Sequence, residues 1–430
     1  MLPLDKKYVW HPFTQHQTAD EPLHILKSKG IYLHDNKGDK YIDCNSSWWV
    51  NIHGHNYPPL MKAIKKQIKE IDHIIFADAT HTPAIHLAES ICELLPNKFQ
   101  KVFYSDNGST CVEVAIKMAL QYWSNIGKPK TEAVALKGAY HGDTFGAMSL
   151  GERNYFNKPF EPLFFDVHFL DFPTERNEKE ILHDAEQKFS SGKIAFFIVE
   201  PLVQGAAGMR IYSTHFLNKL VLLAKKHQVL VIFDEVMTGW GRLGTWFALD
   251  QIKENPDFIC LSKGLTGGIF PLGVTITTEK IYQAFLSTET KHAFLHGHSY
   301  TANPISCAVA LKNIELLKKK KVWNQIHSIE TRLKKFVDKH KTNVQIKNIR
   351  SKGTILAFEL NEFSDVDYFS KNNQLYYQKL KEKKLFIRPL GNTIYINPPY
   401  CIKKKELDYI LGTFETIFNF NKYAFQTDHL

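Results

Sequence analysis

Two ionisable residues follow short apolar runs, where burial of a charge is costly without a partner. Lys263 follows FICLS, and Asp234 ends VLVIFD. Because burial disfavours the ammonium form, a lysine placed there has a lowered pKa and can form a Schiff base with a carbonyl. The Asp234 carboxylate could pair with a pyridinium nitrogen. The alternatives are a lysine that reaches solvent and, for Asp234, a magnesium site or a helix cap; no GxxxxGK[ST] loop precedes Asp234, which argues against an ATPase.

Two further segments follow predicted strands and have the composition of a ligand site. Residues 106–110, DNGST, open an apolar helix, so that backbone N–H groups at Gly108 and the Ser109 hydroxyl could bind one phosphate. Tyr140 lies between glycines in GAYHG, where its ring could stack on a flat heterocycle. Ordinary helix capping and core packing are the alternatives. We expect His141 to be a hydrogen-bonded loop residue rather than a ligand.

Together the four segments supply a phosphate cradle, a stacking ring, a pyridinium partner and a Schiff-base amine. These are the separate requirements of one cofactor, pyridoxal 5′-phosphate (PLP). Each segment lies just after a strand, which is where an open α/β sheet binds its ligands. The sequence therefore predicts a PLP enzyme with Lys263 as the catalytic lysine.

The elements that must position these residues alternate along the chain. Strands are predicted at 102–106, 133–136, 195–200, 229–235 and 258–262, and helices at 59–71, 83–95, 110–125 and 214–227. This alternation predicts the α/β class, with a mainly parallel sheet flanked by helices.

The pattern changes after about residue 305. A long helical stretch and β-rich runs at 354–360, 385–389 and 393–399 predict a smaller α+β domain. We therefore expect three parts: an N-terminal segment (1–58) that joins the small domain, a large PLP-binding domain (59–305) and a C-terminal small domain (306–430).

Composition argues against several classes of protein. The 430 residues carry a formal net charge of +10, but the lysine clusters resemble solvated helix faces, so no nucleic-acid partner is expected. The six cysteines are scattered without a CxxC pair, which predicts neither disulfides nor a metal site and favours the cytoplasm. No apolar run of about 18 residues and no signal peptide are present, so no membrane association is expected.

Longer segments resemble one family over nearly the whole chain. IFDEVMTGWGRLGTWFA (232–248) followed by LSKGLTGG (261–268) resembles the hallmark of the class III aminotransferases, and so do SSWWVNIHGHNYP (46–58), HGHSYTANP (296–304) and IRPLGNTIYINPPY (387–400). The resemblance implies fold type I of the PLP-dependent transferases, with a large and a small domain.

The resemblance also implies a role for each residue of the cofactor site. Lys263 would hold the cofactor and move protons, and Asp234 would pair with the pyridine nitrogen. Gly108 and Ser109 would bind the phosphate, and Tyr140 would stack on the ring and line the substrate pocket.

For the substrate, the resemblance implies sites at the interface of a homodimer. Ser299 would reach the phosphate on the neighbouring subunit. Trp48 would line the substrate site and Arg388 would bind a substrate carboxylate through its planar guanidinium. Gly297 and Tyr395 would lie near the substrate.

Some positions depart from the family pattern or leave alternatives open. Phe13 replaces a tyrosine of some relatives, His298 precedes Ser299 where others have Pro-Thr, and Trp240 replaces a smaller aromatic residue, which should alter loop packing rather than chemistry. Trp49 is expected in the core, and a structural salt bridge is the alternative for Arg388.

Within the family, the tryptophan pair and the RPLG…PPY ending favour one reaction. It moves the amino group of S-adenosylmethionine to 8-amino-7-oxononanoate, giving 7,8-diaminononanoate in biotin biosynthesis. The alternatives are lysine as donor to the same acceptor, an ornithine or ω-amino-acid transaminase, and a non-catalytic nucleotide- or nucleic-acid-binding protein.

Overall fold

The computed structural model describes residues 1–361 and 371–424. Its strands are β1 (Ile25–Lys29), β2 (Tyr32–Asp35), β3 (Lys40–Asp43), β4 (Phe99–Ser105), β5 (Glu132–Leu136), β6 (Val167–Leu170), β7 (Ile194–Val199), β8 (Val203–Gln204), β9 (Arg210–Ile211), β10 (Leu230–Asp234), β11 (Phe258–Leu261), β12 (Gly273–Thr278), β13 (Ile346–Lys352), β14 (Ile355–Leu360), β15 (Leu385–Phe386) and β16 (Thr393–Ile396). Its helices are α1 (Leu2–Tyr8), α2 (Ser46–Trp49), α3 (Pro58–Gln67), α4 (Thr82–Leu94), α5 (Gly108–Asn125), α6 (Phe145–Ser149), α7 (Glu178–Ser190), α8 (Thr214–Lys226), α9 (Glu279–Gln283), α10 (Pro304–Leu317), α11 (Lys320–His340), α12 (Lys371–Glu382) and α13 (Lys404–Ala424). Short 3₁₀ turns lie at Lys158–Leu163, Ala248–Gln251, Lys263–Thr266 and Thr290–His292.

A seven-stranded sheet with the order β4-β12-β11-β10-β7-β5-β6 forms the centre of the fold. Its pairs from β11 to β6 are parallel, whereas β12 is antiparallel to both of its neighbours. The predicted mainly parallel sheet flanked by helices is therefore confirmed. The predicted strands and helices of this region are present with small shifts at their ends; the largest is in α3, which ends at Gln67 instead of residue 71.

The apolar strands of this sheet are buried on both faces. Along β10, Val231 and Phe233 belong to one apolar cluster, whereas Leu230 and Ile232 belong to another. Because successive side chains of a strand point to opposite faces, helices must cover both faces, and the strands are nearly continuous apolar runs. α5 contributes to the cluster that contains Leu230 and Ile232. α4, α7 and α8 contribute to the cluster that contains Val231 and Phe233.

Of the three smaller sheets, one is the two-stranded pair β8-β9, and the other two pack with each other. β13, β14 and β16 form an antiparallel sheet, while the N-terminal strands β1 to β3 form a second sheet that β15 joins in parallel with β3. A third apolar cluster unites them, with Ile31 and Ile42 packed among residues such as Phe358 and Ile396. The N-terminal segment thus packs with the C-terminal third of the chain. The predicted domain boundaries after residues 58 and 305 stay a prediction. Residues 362–370 and 425–430 of the predicted small domain lie outside the described residues.

Among the described residues, no helix combines the length and apolarity that crossing a membrane requires.

Candidate active site

Lys263 lies in a 3₁₀ turn directly after β11, with φ of 44°. The side-chain amide of Asn313 donates to the carbonyls of Gly264 and Leu265, at 2.8 and 2.9 Å, and so fixes this turn. The Lys263 Nζ lies 5.1 Å from the centre of the Trp49 ring. Burial lowers the pKa of the amine, an effect opposed by the negative charges of Asp234 and Glu200. A lysine with a lowered pKa is a competent nucleophile.

Asp234 ends β10 with both carboxylate oxygens held by fixed donors. Its Oδ1 accepts a hydrogen bond from the backbone N–H of Val236 at 3.0 Å, and its Oδ2 lies 2.7 Å from Nδ1 of His141. Both side chains are buried. The expectation that His141 is a hydrogen-bonded loop residue is confirmed. In the described part of the chain, His141 Nε2 is a buried atom with no hydrogen-bond partner.

Glu200 follows β7 and joins two loops of the site. Its Oε1 accepts from the backbone N–H of Tyr140 at 3.1 Å, and its Oε2 accepts from that of Gly205 at 2.8 Å. Burial raises the pKa of Glu200 to about 7, against the opposing charge of His141. The carboxylate therefore fixes the loop that carries Tyr140.

Tyr140 lies in the loop that follows β5. The side chain is partly exposed, and its hydroxyl donates to Asp143 at 3.1 Å. Burial, together with the carboxylate of Asp143, raises the pKa of the hydroxyl. Tyr140 is therefore a neutral phenol at physiological pH, with a ring free to make face contacts.

The start of α5, where the sequence predicts an anion cradle, is capped in a way that leaves donors free. Asn107 caps the helix through a reciprocal pair of bonds with Thr110, which leaves the first-turn N–H groups at Gly108 and Ser109 without acceptors inside the helix. The Ser109 Oγ accepts from the backbone N–H of Asp143 at 3.3 Å. The helix dipole and these donors favour an anion at this end.

The tryptophan pair lies in an irregular turn. The Trp49 ring lies near Lys263, whereas the Trp48 ring lies near Arg388. Trp49 is 4% exposed and belongs to the core, as predicted, but its ring also faces the Lys263 amine. Its Nε1–H donates to the Tyr395 hydroxyl at 2.8 Å. Trp48 is 39% exposed and contacts Phe13, with 5.5 Å between ring centres.

Arg388 lies beside this exposed aromatic pair. The centre of its guanidinium is 5.2 Å from the Trp48 ring, and one N–H donates to the carbonyl of Phe13 at 3.1 Å. Among the described residues, no carboxylate lies within ion-pair distance of Arg388. The remaining guanidinium donors are thus available to a ligand carboxylate.

The loop with Gly297 and Ser299 lies against the start of α5 of the same chain. His298 Nδ1 is 3.3 Å from a carboxylate oxygen of Asp106, and the Ser299 carbonyl lies 2.6 Å from Nε2 of His73. A side chain at Gly297 would meet only Thr301, at 4.0 Å. The proposed reach of Ser299 concerns a second subunit and stays a prediction.

Trp240 packs against the turn that carries Lys263. It is fully buried, and its Cβ would lie 3.1 Å from a Cβ added to Gly264. The Trp240 carbonyl accepts from the Tyr400 hydroxyl at 2.8 Å. Its contacts are those of a packing residue.

Comparison with known proteins places this site in a family. Residues 14–418 match the family model described as aminotransferase class III. This chain belongs to the class III aminotransferases. The adenosylmethionine-8-amino-7-oxononanoate aminotransferase of Synechococcus elongatus is 44% identical over 409 residues, which cover 93% of this chain and 96% of that protein.

Solved class III structures have the same fold. The crystal structure of adenosylmethionine-8-amino-7-oxononanoate aminotransferase from Methanocaldococcus jannaschii has a TM-score of 0.92 at 34% identity, covering 97% of this chain and 98% of that one. A PLP-bound amine transaminase from an uncultivated Pseudomonas species has a TM-score of 0.89 at 26% identity, covering 96% and 98%. The chain is therefore a PLP-dependent transaminase of fold type I.

The class III site of this chain has the chemical groups that PLP requires. A lysine with a lowered pKa, a buried carboxylate with both oxygens fixed, and a helix start with free N–H donors lie at the carboxyl ends of β11, β10 and β4 of one sheet. Close packing also shapes the cradle, because a Cβ on Gly108 would lie 2.7 Å from a Val236 methyl. Among the described residues, no group of three or more metal-binding side chains is present.

Two residues near this site had no role in the sequence analysis. Glu200 directly follows the fully apolar strand β7, and a carboxylate at the end of an apolar run is the same signal that identified Asp234. Asp143 binds the Tyr140 hydroxyl and the Ser109 side chain, and only its closeness to Tyr140 in sequence could have pointed to it.

Proposed function

We propose that this chain transfers the amino group of S-adenosylmethionine to 8-amino-7-oxononanoate, giving 7,8-diaminononanoate for biotin biosynthesis. The observation that carries the proposal is the nearly full-length similarity to relatives that are named for this reaction. The partly buried Lys263, whose pKa burial lowers, and the buried Asp234 supply the chemistry that the reaction needs.

The cofactor-binding roles follow from the positions of the side chains. PLP, when bound, supplies an aldehyde and an electron-accepting ring. Lys263 would hold the aldehyde carbon, and Asp234 would hold the pyridine nitrogen in its protonated form. Gly108 and Ser109 would bind the phosphate, and the Tyr140 ring would cover one face of the cofactor.

Lys263 would also be the residue that moves the proton. Its Nζ, with a lowered pKa, can take a proton from the carbon that bears the substrate amine. The Trp49 ring lies beside this amine and limits the approach of water. His141 and the N–H of Val236 both donate to the Asp234 carboxylate, and these bonds would fix its orientation for the ring nitrogen.

The substrate would extend from Lys263 towards the exposed aromatic pair. Arg388 would bind the acceptor carboxylate, and this role is supported by the guanidinium donors that have no carboxylate partner among the described residues. The exposed Trp48 ring could contact the sulfonium cation of the donor. Gly297 and Tyr395 would lie near the substrate, as the sequence analysis expects.

We further infer a homodimer in the cytoplasm, without nucleic-acid or membrane partners. Ile75, Leu295 and Tyr300 expose large apolar side chains on segments that contact each other through His73. Such a surface favours coverage by a second copy of the chain, to whose cofactor phosphate Ser299 would reach. Six free cysteines favour a reducing compartment. Light scattering on a size-exclusion column tests the dimer, and a monomeric mass would contradict it.

A half-reaction with each donor tests the reaction. The PLP-loaded protein is mixed separately with S-adenosylmethionine, lysine, ornithine and an ω-amino acid, and the decay of the visible cofactor band is followed. We expect S-adenosylmethionine to bleach the band, and subsequent addition of 8-amino-7-oxononanoate to restore it with formation of 7,8-diaminononanoate. Bleaching by lysine or ornithine instead would contradict the proposed donor.

A further inference from the structure

The turn that carries the tryptophan pair has an unusual backbone. Ser46, Ser47 and Trp49 all have positive φ, at 51°, 62° and 67°. Ser47 combines this φ with a ψ of −82°, close to the rare and strained γ-turn. Residues other than glycine persist in such conformations only when their surroundings hold them there. A specific set of contacts must therefore hold this turn.

Asp43, at the end of β3, makes most of these contacts. Its fully buried carboxylate accepts two bonds from the Ser47 N–H, at 2.9 and 2.7 Å, and one from the Ser47 hydroxyl at 3.3 Å. It also accepts from the N–H of Asn45 at 3.2 Å and from Nε2 of His55 at 2.8 Å. Four donors thus converge on one carboxylate around the strained residues.

The tautomer of His55 strengthens this arrangement. The Asn51 amide donates to Nδ1 of His55 at 3.2 Å, so the imidazole carries its proton on Nε2 and donates it to Asp43. An amide at position 43 would place an N–H group opposite at least one of the donors that Asp43 accepts from. The site requires an acceptor with two oxygens, which only a carboxylate provides.

The turn directs its two tryptophans to different parts of the site. Trp49 faces the Lys263 amine, and Trp48 faces Arg388. We propose that Asp43 is a positioning residue that holds the strained turn. It thereby keeps the Trp49 ring beside the catalytic lysine and the Trp48 ring beside the site for the substrate carboxylate. This inference rests on the proposed active site but does not depend on which amine is the donor.

The test uses Asp43→Asn and Asp43→Ala in the PLP-loaded full-length protein. Asp35→Ala is the matched control, because Asp35 is also buried and accepts from two backbone N–H groups, at 3.0 and 2.8 Å, in the turn between β2 and β3. The readouts are the visible circular dichroism of the bound cofactor, and KM and kcat with a carboxylate substrate. Wild-type protein assayed with each donor separates a failure of the donor assignment from a failure of this inference.

We expect both Asp43 variants to change the visible circular dichroism and to raise KM about tenfold or more, as expected when hydrogen bonds to a charged group are lost. Asp35→Ala should lower only the melting temperature. If Asp43→Ala does not fold, Asp43→Asn decides. Wild-type circular dichroism and KM in Asp43→Asn would overturn the proposal.

A second change tests whether Asp43 acts through backbone conformation. Ser47→Gly relieves the cost of the positive φ, because glycine adopts this region freely. We expect Ser47→Gly, added to Asp43→Asn, to restore part of the circular dichroism and of the substrate affinity. Absence of any restoration would show that Asp43 does not act by holding this turn, and would also overturn the proposal.

Discussion

The indole N–H of Trp49 donates to the hydroxyl of Tyr395 at 2.8 Å, which connects the ring beside the Lys263 amine to strand β16 of a different sheet. Both side chains are buried. A residue of the C-terminal third of the chain therefore helps to fix the surroundings of the lysine on the central sheet.

Tyr395→Phe should leave the Trp49 N–H buried without this acceptor. We expect a loss of about 1–3 kcal/mol in the free energy of unfolding, measured with urea, and an altered visible circular dichroism of bound PLP. Tyr104→Phe is the control, since the buried Tyr104 hydroxyl donates to the Ala84 carbonyl at 2.6 Å. An unchanged cofactor spectrum in Tyr395→Phe would contradict a positioning effect of this bond.

Lys263→Ala should abolish turnover while the fold persists. Loss of a positioned proton-transfer group lowers turnover by at least about 100-fold, and the covalent attachment of the cofactor is lost as well. Lys98→Ala is a matched control, because burial also lowers the pKa of Lys98, which donates to the Pro256 carbonyl. More than trace activity in Lys263→Ala, with wild-type far-ultraviolet circular dichroism, would contradict the assignment of the catalytic lysine.

Arg388→Ala should weaken the binding of carboxylate substrates. Loss of a hydrogen bond to a charged group costs about 1.5–3 kcal/mol, so KM should rise roughly 10- to 100-fold with little change in melting temperature. Arg332→Ala removes a partly exposed arginine paired with Asp408 and should leave KM unchanged. An equal rise in KM for an amine without a carboxylate would argue against the proposed role.

Gly142→Ala should disturb the phosphate cradle. Gly142 has φ of 133°, and a Cβ there would overlap the Ser109 side chain. We expect the dissociation constant of PLP to rise at least about fivefold, which corresponds to about 1 kcal/mol, the lower end of the effects of overpacking. Gly127→Ala is the control, since Gly127 also has positive φ, but a Cβ there would meet nothing within 4 Å. Equal PLP affinity in both variants would contradict the predicted overlap.

Two buried glutamates should make stability depend on pH. Burial raises the pKa of both Glu200 and Glu235 from 4.5 to about 7. Between these values the folded state binds more protons than the unfolded state, so their contribution to stability is lost as pH rises from 4.5 to about 7. His53 acts in the opposite direction, because burial lowers its pKa to about 4.

Glu235→Gln isolates one of these contributions. The Glu235 carboxylate accepts from the N–H groups of Ala248 and Leu249, both at 2.7 Å, on a loop away from Tyr140. Relative to wild type, the variant should become steadily more stable, in urea unfolding, as pH rises through the window from 4.5 to about 7. A constant difference across that window would show that Glu235 does not titrate there. Glu200→Gln should show the same trend and also alter the cofactor spectrum, since Glu200 fixes the Tyr140 loop.

Much of the fold and the cofactor site could be predicted from sequence because both depend on local patterns. Asp234 and Lys263 follow fully buried strands, and parallel strands bring their carboxyl ends to one edge of a sheet. β12 escaped prediction because its sequence, GVTITT, alternates threonine with apolar residues and lacks a continuous apolar run. β6 is a short four-residue strand, VHFL, with only one fully buried residue.

Contacts between distant segments could not be predicted in the same way. Glu200 accepts a hydrogen bond from the backbone N–H of Tyr140, which lies 60 residues earlier in the chain, so its role depends on how two strands meet in the fold. The position of the Trp49 ring beside the Lys263 amine joins residues from an N-terminal turn and the central sheet. The sequence can indicate that a tryptophan is buried, but it does not indicate which residue its ring will contact.

Reduction of the PLP-loaded protein with borohydride, followed by digestion and mass spectrometry, tests whether the cofactor is bound covalently to the lysine after β11. We expect the pyridoxyl mass on the peptide that contains Lys263, with Lys263→Ala unlabelled. A pyridoxyl group on another lysine, or none in a protein that retains activity, would contradict the assignment of this site.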